Sequence, residues 1–145
     1  MSGLQVQRLS KELAGNPAVT DVSFEIADAE FFVLLGPSGG GKSTILRLIC
    51  GLETPDAGAV VINDRDVTTL PPRERNVGMV FQEFGLYPNM DVFHNVAYGL
   101  EARGLPKAEV HERVTRAAEV LGLSPMLRQS VVELSGGEQQ RVALA

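Results

Sequence analysis

Apolar and polar positions alternate along "LQVQRL" (residues 4–9) and again along "VTDVSFEI" (residues 19–26), a two-residue period that predicts two half-buried strands. The turn-forming "AGNPA" between them makes the pair an antiparallel hairpin. "FFVLL", residues 31–35, is apolar at every position and predicts a strand buried on both faces, as parallel sheets require. A glycine-rich turn then leads into "KSTILRLICGL", where Ile45, Leu48, Ile49 and Leu52 recur at helical spacing and Gly51 lies near the end. "GAVVIND" and "NVGMVF" predict further strands, with Pro71 and Pro72 between them and Asn63-Asp64 forming a turn.

From about Pro88 the period lengthens. "MDVFHNVAYGL" predicts one helix. "PKAEVHERVTRAAEVLGL" predicts a better one, with Pro106 near its first turn and Val110, Val114, Ala117 and Leu121 on one stripe. A last helix starts at Ser135, where Ser135 and Glu138 form an S-x-x-E capping box. The fold class is α/β: a strand core containing one strand–loop–helix unit, then a helical segment.

Composition narrows the partners. With 44% hydrophobic and 21% charged residues the chain reads as globular. A net charge of −5 disfavours nucleic acid, and a single cysteine, Cys50, excludes a disulfide framework or a cysteine-rich zinc site. The longest apolar run is too short to span a bilayer, and "MSGLQVQRLSK" lacks the apolar stretch of a secretory signal, so a cytoplasmic location is expected.

The chemistry starts at "GPSGGGKST", which matches G-x-x-x-x-G-K-[ST] after a buried strand and before a helix. Its residues are Gly36, Pro37, Ser38, Gly39, Gly40, Gly41, Lys42, Ser43 and Thr44. The glycines let several backbone N–H groups converge on one point, and the helix dipole aims its positive end there. Lys42 would reach the β- and γ-phosphates and the Ser43 hydroxyl would ligate Mg²⁺. Average residue usage gives such a match by chance in on the order of one in a few hundred chains of this length, and the flanking strand and helix make chance rarer still. Nucleotide binding is the expectation.

Two further stretches carry a family resemblance. "LSGGEQQRVALA" resembles the signature motif of ATP-binding-cassette (ABC) ATPases, and "VGMVFQEFGLYPNMDVFHNVAYGL" resembles their Q-loop and the start of their helical subdomain. The order agrees too: phosphate loop, then Gln82, then Ser135, Gly136, Gly137 and Glu138. Through "LPPRERNVGMVFQ" and "LYPNM" the chain is most similar to importer ATPases of the carbohydrate, polyamine, sulfate and iron uptake type.

The resemblance implies a P-loop NTPase fold: part of a RecA-like core with an antiparallel β subdomain over residues 1–88, a helical subdomain over 89–134, and the signature helix from 135. It implies ATP and Mg²⁺ as ligands, with Gln82 assisting at the metal and coupling the nucleotide to the membrane partner. It also implies that Ser135, Gly136, Gly137 and Glu138 address a nucleotide held by a second subunit, in a head-to-tail dimer. The partners so implied are that second subunit, integral membrane permease subunits and, indirectly, an extracytoplasmic solute-binding protein, with no nucleic acid. The location implied is peripheral, on the inner face of the cell membrane. Phe84, Leu86, Tyr87 and Met90 are candidates for a groove that receives a permease helix.

The chain departs from the family in three places. Leu13 stands where an aromatic usually stacks on adenine, so that stacking is not expected. Ala29 replaces the glycine common in a surface turn, which reads as a minor change. The family continues past its signature helix with a strand closing on Asp-Glu and, later, a γ-phosphate-sensing His, and none of these lies within the 145 residues. The expectation is therefore an N-terminal part, stopping before that strand, with no complete catalytic set: Lys42 and Gln82 assist, while hydrolysis by these residues alone is negligible. His94 and His111 are expected to be solvated helix residues. The competing expectations are a soluble ABC ATPase of DNA repair or translation, and a non-catalytic remnant.

Overall fold

The computed structural model describes residues 2–145, which divide into two compact units, Met1–Met79 and Val80–Ala145. The stretch Val80 to Pro88, assigned from sequence to the first segment, groups with the helices of the second unit.

The first unit is a four-stranded antiparallel sheet in the order β2-β1-β3-β4, with one helix, α1. Strands β1 (Ser2–Leu13) and β2 (Asn16–Ala27) form the expected hairpin, turning at Ala14 and Gly15. Strand β3 (Ala57–Ile62) pairs with the other edge of β1 and turns through Asn63 and Asp64 into the short β4 (Arg65–Asp66). Asn63 and Asp64 both take positive φ, at 50° and 62°, as a tight hairpin turn requires.

Helix α1 (Lys42–Cys50) buries Ile45, Leu48 and Ile49 against Val6, Leu9, Val19, Val60 and Val67. Leu52, placed on the same stripe by its spacing, lies beyond the helix end and is exposed. Leu48 has no exposed surface, so truncating it to alanine would cost roughly 2–5 kcal/mol.

Two expected strands are not formed. Residues 31–35 and 77–81 adopt neither helix nor strand. The apolar run is exposed rather than buried, with Phe31 90% and Leu35 88% accessible. A parallel strand exists only through its ladder, and among the described residues no strand pairs with either segment. Two of its residues still pack: Leu34 touches the α1 core and Phe32 stacks on Phe24 with ring centroids 5.0 Å apart.

The turn at Ala29 is also not the minor matter its surface position suggested. Ala29 takes φ 59°, a left-handed conformation that costs a residue with a Cβ about 1–2 kcal/mol.

The second unit packs α2 (Val92–Ala102), α3 (Lys107–Leu121) and α4 (Gly136–Leu144) around two adjoining apolar clusters. Asp91 caps α2 by accepting from the His94 amide at 2.8 Å. The buried stripe of α3 is Val110, Val114 and Ala118, an i, i+4, i+8 row. Ala117 and Leu121, assigned to it from sequence, are half-buried instead. Val142 of α4 and Leu134 before it join Val92, Ala118, Leu123 and Val131 in one cluster, which ties the signature helix to α2 and α3.

Candidate functional site: a phosphate loop and a separate glycine tip

The first unit carries the glycine-rich loop, residues 36–44, expected from its motif to hold phosphates. Helix α1 opens on Gly41, which takes φ 77° and offers no side chain to cap the helix. The first-turn amides therefore have neither an intrahelical acceptor nor a capping oxygen, and they point out with the positive end of the dipole. Two constraints make Gly41 a glycine. Its conformation is left-handed, and a Cβ there would stand 2.2 Å from the Ala18 carbonyl oxygen of β2. The strand fixes the loop from one side.

The loop closes over its own lysine. Lys42 Nζ donates to the carbonyls of Gly36 at 2.9 Å and Pro37 at 2.6 Å, and the Gly40 amide donates to Pro37 O at 3.1 Å. Lys42 is half-buried, while residues 35–40 and Ser43 are exposed. A phosphate oxygen is a charged and therefore stronger acceptor than either carbonyl, so the ammonium can exchange one set of partners for the other.

The opposite end of α1 holds a residue that sequence reasoning missed. Arg75 is 4% exposed, and its guanidinium donates to four carbonyls: Leu48 at 2.7 Å, Ile49 at 3.0 Å, Leu70 at 2.8 Å and Thr68 at 2.8 Å. Burial pulls its pKa down, opposed through space by Cys50 and Asp66. Gly51, with φ 75°, ends α1 directly against it, and a Cβ there would stand 2.4 Å from Arg75 Nε. Nothing in the letters "PPRERN" separates Arg75 from the exposed Arg73.

The second unit carries Gln82 and the glycine tip. Gln82 is exposed, in a turn rather than at a strand end. At the tip, Ser135 starts α4, and the Glu138 carboxylate accepts from the Ser135 amide at 2.8 Å and its hydroxyl at 2.6 Å. These bonds, the hydroxyl first, hold the Glu138 carboxyl below its ordinary pKa. Gly136 and Gly137 are unlike Gly41: neither has a positive φ, and a Cβ on either would meet open space. The fold of this chain does not ask for glycine there.

Of the four groove candidates, Phe84 and Leu86 line a cavity of about 170 Å³ with Pro88, Val131, Val132 and Gln139. Leu86 also packs on the core, and Tyr87 lies on Tyr98 with ring centroids 4.4 Å apart. His94 Nδ1 lies 2.7 Å from the capping Asp91, and His111 is exposed. Leu13, at the end of β1, is 40% exposed.

Magnesium suits oxygen donors and retains waters and phosphate oxygens in place of a full protein cage. Among the described residues no group of three or more His, Cys, Asp or Glu could hold a metal. In the first unit the exposed Ser43 hydroxyl is an oxygen donor of the kind such an ion takes, and in the second unit the Gln82 side chain is exposed.

Comparison with known proteins adds to this geometry. The family described as "ABC transporter" matches residues 19–145. The sn-glycerol-3-phosphate import ATP-binding protein UgpC of Bordetella avium (strain 197N) is 48% identical over 145 residues, covering 99% of this chain and 40% of its own length. The protein of the same name from Cupriavidus pinatubonensis is 50% identical, with 39% of its length covered. The chain thus spans about 40% of the length of these curated relatives. Among solved structures, MJ1267, an ATP-binding cassette of an ABC transporter, aligns with TM-score 0.85 at 26% identity, over 99% of this chain and 63% of that one. The cbiO1 protein of Clostridium perfringens, part of the ABC transporter complex cbiONQ, aligns with TM-score 0.86 at 26% identity, over 99% and 59%.

Proposed function

The chain belongs to the ABC transporter family, and from that premise we propose that it is the nucleotide-binding part of an importer ATPase subunit. In this reading, residues 36–44 hold the α-, β- and γ-phosphates of ATP. The observation that carries it is the opening turn of α1: uncapped amides and the Lys42 ammonium gathered at one exposed loop, with Gly41 wedged against β2. Lys42 binds the β- and γ-phosphates as a charged donor, giving up the Gly36 and Pro37 carbonyls to do so. Ser43 supplies an oxygen to Mg²⁺, which neutralises phosphate charge when bound, and Gln82 of the second unit keeps the metal-assisting role that the family resemblance implies.

Ser135, Gly136 and Gly137 serve a different nucleotide. The tip belongs to a capped helix start with two exposed glycines that the chain itself does not need. A close approach by a phosphate from a second copy accounts for them, and a head-to-tail dimer follows. Glu138, held by Ser135, keeps the tip's backbone in place without reaching outward.

The subunit works at the cytoplasmic face of a membrane against integral permease subunits, with Phe84 and Leu86 offering apolar contact at the 170 Å³ cavity. No helix among the described residues is long and apolar enough to cross a membrane, in keeping with a permease as separate partner. The relatives are named for sn-glycerol-3-phosphate import. The solute here is assigned to the permease and to an extracytoplasmic solute-binding protein, since a phosphate loop does not meet the cargo.

Equilibrium titration with a fluorescent ATP analogue in the presence of Mg²⁺ tests this reading. Saturable binding by the wild-type chain that is lost in Lys42→Ala is expected; equal binding by both proteins would contradict it.

A further inference from the structure

Arg75 does more than fill the core. Its planar fork spans two separate segments: two bonds go to the last carbonyls of α1, at Leu48 and Ile49, and two to Thr68 and Leu70 in the stretch after β4. The acceptors at α1 are last-turn carbonyls at the negative end of the helix dipole, Leu48 O also accepting from the Gly51 amide at 3.2 Å, and that end is where a buried cation is best placed. α1 is nine residues, about 14 Å of stiff rod at 1.5 Å per residue, with the phosphate-binding amides at its other end.

Beyond Arg75 the chain turns at Asn76, in the left-handed region at φ 52°, and runs on without helix or strand to Gln82. Arg75 is the last fully buried residue before that glutamine.

We propose that Arg75 is a positioning residue of the nucleotide site, clamping the far end of the phosphate-binding helix to the root of the segment that carries Gln82. This rests on the reading of residues 36–44 as a nucleotide site and deepens it. When phosphates pull on the first turn of α1, the rod transmits the shift to the Leu48 and Ile49 carbonyls. The guanidinium passes it to its own backbone, and so to residues 76–82. Lysine cannot substitute: it keeps the charge but has no planar fork to span two segments. Gly51 belongs to the same device, because any Cβ there would push the guanidinium off the helix end.

Hydrogen exchange read by mass spectrometry on the full chain, with and without Mg²⁺ and ATP, tests this. In wild type, nucleotide is expected to slow exchange at residues 39–44 and, with the same titration midpoint, at residues 76–80, each by about tenfold or more. In Arg75→Lys the first protection persists with affinity within about threefold of wild type, while the second is lost. Gly51→Ala should reproduce that split from the other side of the clamp.

Protection at 39–44 with none at 76–80 in wild type would overturn the proposal and leave the nucleotide reading intact. So would loss of both protections in step with a fall in melting temperature, the mark of a merely structural arginine. Absence of any protection at 39–44 in wild type would remove the nucleotide reading, and the proposal with it.

Discussion

Two helices in this chain begin on glycine, and the glycines answer to different constraints. At α1 the fold itself demands one: Gly41 is left-handed and sits where a Cβ would strike the Ala18 carbonyl. At α4 it demands none, since Gly136 and Gly137 have ordinary φ and open space around them, although glycine costs helix stability there. The first start also carries its own cation, Lys42, folded into the loop, whereas the second holds an acid, Glu138, turned back onto Ser135. A complete cradle must be shaped by its own fold. On the proposed reading, the tip is a half-site shaped for a second copy, which would account for glycines that this fold does not require.

Substitutions can break or sharpen that contrast, and the largest effect is expected at the cradle. Lys42→Ala removes the charged donor, worth about 3 kcal/mol or about a hundredfold in affinity, with little change in melting because the lysine bonds only exposed loop carbonyls. Titration with labelled nucleotide beside a thermal melt reads both. Gly41→Ala should instead destabilise the first unit by about 2–3 kcal/mol through clash and backbone strain, seen as a lowered unfolding midpoint.

Gly136→Ala and Gly137→Ala should do the reverse. Each leaves stability unchanged or raises it by up to about 1 kcal/mol, while ATP-dependent pairing of two copies disappears from sedimentation profiles. A clear loss of stability would show that the fold does use those glycines and would erase the contrast. Ala29 is the converse case, a left-handed position without glycine, so Ala29→Gly should stabilise by about 1 kcal/mol in denaturant melts.

The smallest effect is one of pH. Ser135 holds the folded pKa of Glu138 below its ordinary value. The contribution is therefore complete above the unfolded carboxylate pKa and is lost as pH falls through the depressed folded value. Asp91 behaves alike at the start of α2: burial pushes its pKa up, but the His94 amide and ring outweigh that and bring it down. Acidification below about pH 4 should loosen the first turns of α2 and α4 in amide exchange. Glu138→Gln should abolish the effect at α4 alone.

Much of this was legible in the letters, because local rules decided it. The period-two hairpin, the S-x-x-E box and the helix after the glycine-rich turn each need only a few neighbouring residues, and each forms at the residues its pattern marks. Residues 31–35 and 77–81 failed for the opposite reason. Apolar content was read as burial, but a strand's burial is conferred by partners, and no described strand pairs with either segment. Ala117 and Leu121 gave way to Ala118 because the stripe turned out to be a pure i, i+4 row. Arg75 was illegible because its role depends on four carbonyls, two of them more than twenty residues away in sequence.

The contrast between cradle and half-site is tested most directly by amide NMR of the isotope-labelled chain during titration with Mg²⁺ and ATP at low protein concentration. The account predicts that the amides of residues 39–44 shift and saturate first. The amides of Gly136 and Gly137 should stay still until protein concentration is raised enough for copies to pair. Simultaneous shifts at both places in the dilute monomer, or none in residues 39–44, would contradict it.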